Sequence, residues 1–297
     1  MEDYIDEFIE YLKNVKKTSD NTAENYRRDL MRMASYIKER GIREVSSITE
    51  DVVLDYTASL REEHFAASSI TRHNTSIKSF FRYLLESGYM RDNPAENIKS
   101  PKVEKKKTRV LSAVEIDSLL SQNFGSDPKS LRDKAILELM YSTGLKTSEV
   151  INLKLVNIEI ALGCVRVKAG GDSSRDRLIP YGNKARDAID KYLVDGRNAL
   201  LEGKFDDGTL FPSCNGEKMS RQGLWKLIKT YVKKAGIKAD VTPVTLRHSF
   251  AVNMIENGAD AASLQELMGY TGGNSISRYL EKGEKGKDPY GWARIRN

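Results

Sequence analysis

Two cysteines in 297 residues, Cys164 and Cys214, stand far apart, and neither lies near another cysteine or a histidine at metal-ligand spacing. The three histidines, His64, His73 and His248, are equally scattered. Neither a disulfide nor a structural metal is expected from that distribution, and no cofactor. Long apolar runs are missing too: nothing approaches the roughly 18 consecutive apolar residues of a membrane-spanning helix. The acidic start MEDYIDEFIEYLKN has no basic segment followed by an apolar one, so no secretory signal is read there and a cytoplasmic location is expected. Familiar catalytic signatures are also wanting. There is no Walker phosphate loop, no Gly-x-Gly-x-x-Gly after a strand and no His-Glu-x-x-His. The serines of GDSS at 171–174 fall in a turn without the Gly-x-Ser-x-Gly elbow.

What is present is an excess of positive charge, 48 Lys and Arg against 42 Asp and Glu, for a net charge of +6. Such an excess points toward a polyanionic partner, nucleic acid first. The chain is long enough for two ordinary domains, and its 39% apolar residues suffice for buried cores.

The first hundred residues read as helices. Tyr4, Ile5, Phe8, Ile9 and Leu12 mark an amphipathic stripe, and a second helix is expected from about Asn21, with Glu24 completing a capping box. Its polar face carries Arg27, Arg28 and Arg32. A third helix follows Thr49. A fourth spans about Ser69 to Glu86, with Ile70, Ile77, Phe80, Phe81, Leu84 and Leu85 inside and Arg72, His73, Lys78 and Arg82 outside; Gly88 stops it. Arginines recurring on two helix faces make Arg27, Arg28, Arg72 and Lys78 candidate DNA contacts. DNPAENIKSPKVEKKKTRVLS then reads as an extended connector broken by Pro94 and Pro101, whose Lys105, Lys106 and Lys107 suit a chain passing a phosphate backbone.

Beyond Val110 the pattern is mixed. Asp127-Pro128 is a helix start and Gly144 its stop, and LKTSEVINLKL holds a second short helix. Residues 163–181 alternate apolar and polar on either side of a Gly-Gly-Asp-Ser turn, the pattern of a β-hairpin. Helices are expected near 183–194, from Ser220 to Ala235 and from Thr245 to Asn257, and the tail GEKGKDPYGWARIRN shows no pattern of its own.

Along this second half runs a series of basic side chains and tyrosines: Lys146, Lys168, Arg175, Arg177, Arg247, His248, Tyr270 and Tyr279. Together with TAENYRRDLMRMASYI, LRDKAILELMYSTGLKTSEVINLKL, RDRLIPY, TPVTLRHSFAVNMIENGADAASLQELMGY and the closing RYLE, this series resembles the tyrosine recombinases, in particular the Xer branch. The resemblance covers nearly the whole chain. It implies two domains: an all-α core-binding bundle at 1–93, a basic linker at 94–110, and a mainly helical α+β catalytic domain with a small antiparallel sheet at 111–282, followed by a tail at 283–297. The implied partner is double-stranded DNA, bound by a dimer to tetramer on paired sites, with itself or with a partner recombinase, and with no membrane involved.

The implied chemistry is metal-free phosphoryl transfer, in which a tyrosine attacks a DNA phosphate and a 5'-hydroxyl later reverses the attack. Charge grows on the non-bridging oxygens, so fixed cations must face them and a proton donor must reach the leaving oxygen. By resemblance Tyr279, nine residues after Tyr270, is the nucleophile, and Arg247 is the second family arginine. Lys146 stands where the family has its first arginine, Val244 where it has a histidine, and Tyr270 where it has another. Lys146 keeps a charge but loses the planar fork, and the Tyr270 phenol can still donate one hydrogen bond. The hairpin lysine is assigned to Lys168, with Arg175 as the alternative on the same hairpin; Arg175 and His248 are otherwise counted among the DNA-contacting side chains. Two readings stay open: a site-specific recombinase, or a DNA-binding protein on the same scaffold whose catalysis is impaired or lost.

Overall fold

A computed structural model of the chain describes residues 1–102, 109–168 and 176–270. Its contacts divide the chain into two units, Met1–Lys106 and Lys107–Asn297. The architecture is mostly helical with one small antiparallel sheet. Among the described residues no helix is long and apolar enough to cross a membrane.

The first unit is built from α1 (Glu2–Asn14), α2 (Asp20–Glu39), α3 (Glu50–Glu62) and α4 (Ala67–Glu86). Their apolar stripes meet in one core that includes Ile5, Phe8, Leu30, Met33, Tyr56, Leu60, Ile77 and Phe80. Several expectations need correcting. Helix α2 starts one residue earlier than Asn21 because Ser19 caps it, accepting from the Thr22 amide at 3.2 Å, so Glu24 has no capping role. His73 is buried, 2% exposed, because Asp29 and Tyr56 supply partners for both ring nitrogens, while Leu85 falls off the buried stripe and is exposed. The segment after Pro94 is not an extended connector at its start. Asn93 accepts from the Ala95 amide at 2.9 Å, and Ala95 and Ile98 are buried in the first unit's core.

The second unit begins with α5 (Ala113–Ser121), whose Ser112 and Glu115 form a reciprocal capping box. Helix α6 (Pro128–Thr143) follows, with Asp127 as N-cap and Pro128 in its first turn; it is buried on nearly every face and serves as the unit's axis. After α7 (Thr147–Asn152) come β1 (Ile158–Glu159), β2 (Cys164–Val167) and β3 (Arg177–Pro180), paired antiparallel in that order. The β2–β3 register sets Val165 opposite Ile179 and Val167 opposite Arg177. Helix α8 (Asn183–Lys191) passes through a π turn (Tyr192–Arg197) into the short α9 (Asn198–Leu200). Helices α10 (Arg221–Lys234), α11 (Pro243–Glu256) and α12 (Ala261–Met268) complete the described part. Ile136, Leu139, Val165, Ile179, Leu224, Ile228 and Leu246 belong to one core, and Phe250, Met254, Leu264 and Met268 to a smaller one between α11 and α12.

Candidate functional site

The site starts at the corner between α6 and α7. Gly144 ends α6 in the left-handed region, φ 60°, and donates back to Met140 O at 3.0 Å. A residue with a Cβ would pay for that backbone and would overlap the Phe250 ring. The corner buries Leu145 and releases Lys146, whose side chain stays 45% exposed. Glu149 fixes the next turn: its Oε2 accepts from the Lys146 amide at 2.7 Å, and its Oε1 lies 3.7 Å from Lys146 Nζ and accepts from Arg177 Nη2 at 2.9 Å.

The second wall is the start of α11, capped by Thr242 with Pro243 in the first turn. Arg247 is 8% exposed. One of its Nη atoms donates to Gly144 O and the other to Met268 O at 2.6 Å, so this guanidinium crosses from α11 to the corner and to the end of α12. Its remaining N–H donors are free of those two carbonyls. The guanidinium carbon also lies 5.1 Å from the centre of the Tyr270 ring, within cation–π range.

The third wall is the end of α12, which Asp260 caps at its start and Gly269 terminates with φ 61°. The Gly269 and Tyr270 amides donate back to Glu266 O and Gln265 O, and this fixes Tyr270 against Arg247. An open cleft of about 630 Å³ lies between the three walls. Lys146, Arg221, Trp225, Val244, Arg247, His248 and Tyr270 all border it. Among the described lining residues three are Lys or Arg and none is Asp or Glu, which makes the cleft a place for an anion. Val244, 62% exposed, turns an isopropyl group to the opening one helical turn before His248.

The structure thus brings Lys146, Arg247, His248 and Tyr270 together and leaves Lys168 exposed beyond the end of β2, outside the cleft lining. Tyr279, Arg175, Lys105, Lys106 and Lys107 lie outside the described residues. In the first unit, Arg27 pairs with Asp6 at 2.7 Å, Arg28 with Glu24 at 3.9 Å, and Lys78 donates to Glu96 O at 3.2 Å. Arg72 sits 3.0 Å from the buried Asp29, which also faces His73 Nε2 at 3.2 Å and Ser76 Oγ at 3.5 Å. Burial pushes the Asp29 carboxyl up to about 6 despite Arg72, and burial, then the Arg72 charge, push His73 down to about 4.

Sequence reasoning assigned no role to Glu149, Arg221 or Trp225, and it counted Arg177 only as a basic hairpin residue. Arg177 was within reach of strand alternation: it shares a face with buried Ile179 while Leu178 and Pro180 point out, so its guanidinium turns inward.

Comparisons with known proteins bear on the family and the fold. The Phage integrase family model matches residues 109–285, and the model for the phage integrase N-terminal SAM-like domain matches residues 5–88. The chain is 38% identical over 267 residues to the tyrosine recombinase XerD of Halalkalibacterium halodurans, covering 90% of this chain and 88% of that one. It is 35% identical over 271 residues to XerD of Listeria monocytogenes, covering 91% of each. Among solved structures, the Tn1549 transposon integrase in complex with transposon right end DNA superposes with a TM-score of 0.72 at 18% identity, covering 98% of this chain and 97% of that one, a likeness of fold.

Proposed function

The chain belongs to the phage integrase family of tyrosine recombinases, of the Xer type, and from that premise we propose that it cuts and rejoins duplex DNA at a specific site through a 3'-phosphotyrosyl intermediate. The observation that carries this reading is the cleft in which Lys146, Arg247, His248 and Tyr270 converge from three separate elements, with no Asp or Glu among its described lining residues.

In this reading the scissile phosphate sits in the cleft. Arg247, held by two backbone carbonyls, presents its remaining donors to the non-bridging oxygens, and Lys146 adds a second positive charge at the mouth. The Tyr270 hydroxyl donates to a phosphate oxygen. The Tyr279 hydroxyl gives up its proton to solvent as its oxygen bonds to phosphorus and the bond from phosphorus to the 5'-oxygen breaks, and that oxygen takes a proton from Lys168, which must reach in from beyond the end of β2. A 5'-hydroxyl from a partner strand then attacks the phosphotyrosine and releases Tyr279. Positive side chains that include Arg27, Arg28, Arg72 and Lys78 hold the flanking duplex, and protomers assemble on paired sites.

One observation favours a second reading, a DNA-binding protein with weakened catalysis: exposed Val244 offers no donor or acceptor at a position where the family uses histidine. A single experiment separates the two. A recognition site is first selected from random-sequence duplexes and then built into nicked suicide duplexes. Recombinase activity yields a covalent protein–DNA adduct that Tyr279→Phe abolishes; tight, specific and salt-sensitive binding without adduct identifies the second reading.

A further inference from the structure

Arg177 links three parts of the site that the chain order keeps apart. Its side chain is 9% exposed. Nε donates to Leu267 O at 2.9 Å, and Nη2 donates to Glu149 Oε1 at 2.9 Å. The first bond holds the C-terminal end of α12, one residue before the carbonyl that Arg247 takes. The second holds the carboxylate that receives the Lys146 amide and lies beside Lys146 Nζ. Arg177 is also the first residue of β3 and pairs opposite Val167, the last residue of β2, so Lys168 leaves the sheet next to this anchor.

The fit around this group is tight. Gly269 lies over the Arg177 guanidinium, and a Cβ at that position would stand 2.9 Å from its central carbon. Gly269 is therefore required on two grounds, its left-handed φ of 61° and the cation packed against its bare face. Guanidinium is suited to the task because its fork directs separate N–H groups at a carbonyl and a carboxylate, whereas a lysine ammonium carries one nitrogen on a flexible stem.

We propose that Arg177 is a positioning residue of the site: by clamping the end of α12 to Glu149, it sets where Tyr270 stands relative to Lys146 and to the base of the hairpin. The proposal deepens the recombinase reading and rests on it for its catalytic consequence, but the clamp itself is a property of the free protein and is tested there.

The full chain without DNA is compared with Arg177→Met and Arg177→Lys by amide hydrogen exchange. The amides of Gly269 and Tyr270 close the end of α12. Their exchange is expected to rise about tenfold or more in Arg177→Met and less in Arg177→Lys, with α10 amides unchanged. Gly269→Ala should cost less stability in the Arg177→Met background than in the parent, because the guanidinium that its methyl would strike is gone. On the selected suicide duplex, Arg177→Met should lower the adduct rate about 10- to 100-fold while the half-saturating duplex concentration stays within about twofold of the parent. Unchanged exchange at 269–270, a uniform rise across the unit, strictly additive stability costs, or a rate loss matched by lost affinity would each overturn the clamp. If the parent forms no adduct, the recombinase reading fails, and the exchange and stability measurements still decide the role of Arg177.

Discussion

The guanidinium of Arg247 packs 5.1 Å from the centre of the Tyr270 ring while it donates to Gly144 O and Met268 O. A cation held in this way contributes about 0.5 to 2 kcal/mol through the ring alone and keeps the phenol beside the cleft. The ring and the hydroxyl of Tyr270 therefore have separable jobs.

Tyr270→Phe keeps the ring over Arg247 and removes the hydroxyl. The adduct rate on a suicide duplex should fall about 10- to 100-fold, whereas Tyr270→Leu, which also removes the ring from Arg247, should lose about 1 kcal/mol more stability than Tyr270→Phe. A Phe variant as fast as the parent would remove the phenol from the mechanism.

Lys146 occupies the mouth with a single ammonium. Lys146→Arg restores a planar fork beside Glu149 and should raise the cleavage rate about tenfold, while Lys146→Ala should lower it about 10²-fold or more. Val244→His supplies the missing imidazole on the opposite wall, and combined with Lys146→Arg it should give a larger gain than either change alone. Rates that do not move in any of these four variants would place the phosphate elsewhere.

The buried Asp29–His73 pair makes a pH prediction with opposing signs. Asp29, raised to about 6, takes up a proton in the folded state as pH falls and by itself stabilises the fold from pH 6 downward. His73, lowered from 6.5 to about 4, takes up its proton first in the unfolded state and by itself destabilises the fold over nearly the same window. The two nearly cancel in the parent. Asp29→Asn leaves the histidine unopposed and should lose about 3 kcal/mol more than the parent between pH 6.5 and 4 in denaturant titrations. His73→Gln should show the reverse trend, gaining relative to the parent as pH falls through 6.

Gly144→Ala tests the corner that presents Lys146. The left-handed backbone and the overlap with Phe250 should together cost about 2 to 4 kcal/mol, read as a lower denaturant midpoint of the full chain. A loss below about 1 kcal/mol would mean that the corner relaxes freely.

How much of this was readable in the chain depends on how local the cause is. Helix α6 was legible at both ends because Asp127, Pro128 and Gly144 act on their immediate neighbours. The β2–β3 pair was legible because its alternation is local as well, while the turn expected at 171–174 lies outside the described residues; β1 has two residues and too little pattern to register. His73 lies three residues after Ile70 and four before Ile77, on the buried face, and it reads as exposed only when polarity is allowed to outvote spacing. What licenses its burial is Asp29, 44 positions earlier, a partner that no local rule identifies. The site divides in the same way. Lys146, Arg247 and Tyr270, which line the cleft, were singled out by family spacing, whereas Glu149 and Arg177 act through contacts between distant segments that the order of residues does not display.

The final carbonyls of α12 are each taken by a different arginine, Leu267 O by Arg177 and Met268 O by Arg247. At most helix ends such carbonyls face water or a capping glycine. Here a side chain credited with handling phosphate also holds a helix shut, and an inheritance argument follows. A descendant that gave up strand cleavage would still unfasten this end of its fold by discarding the arginine, so selection for shape alone is enough to retain Arg247.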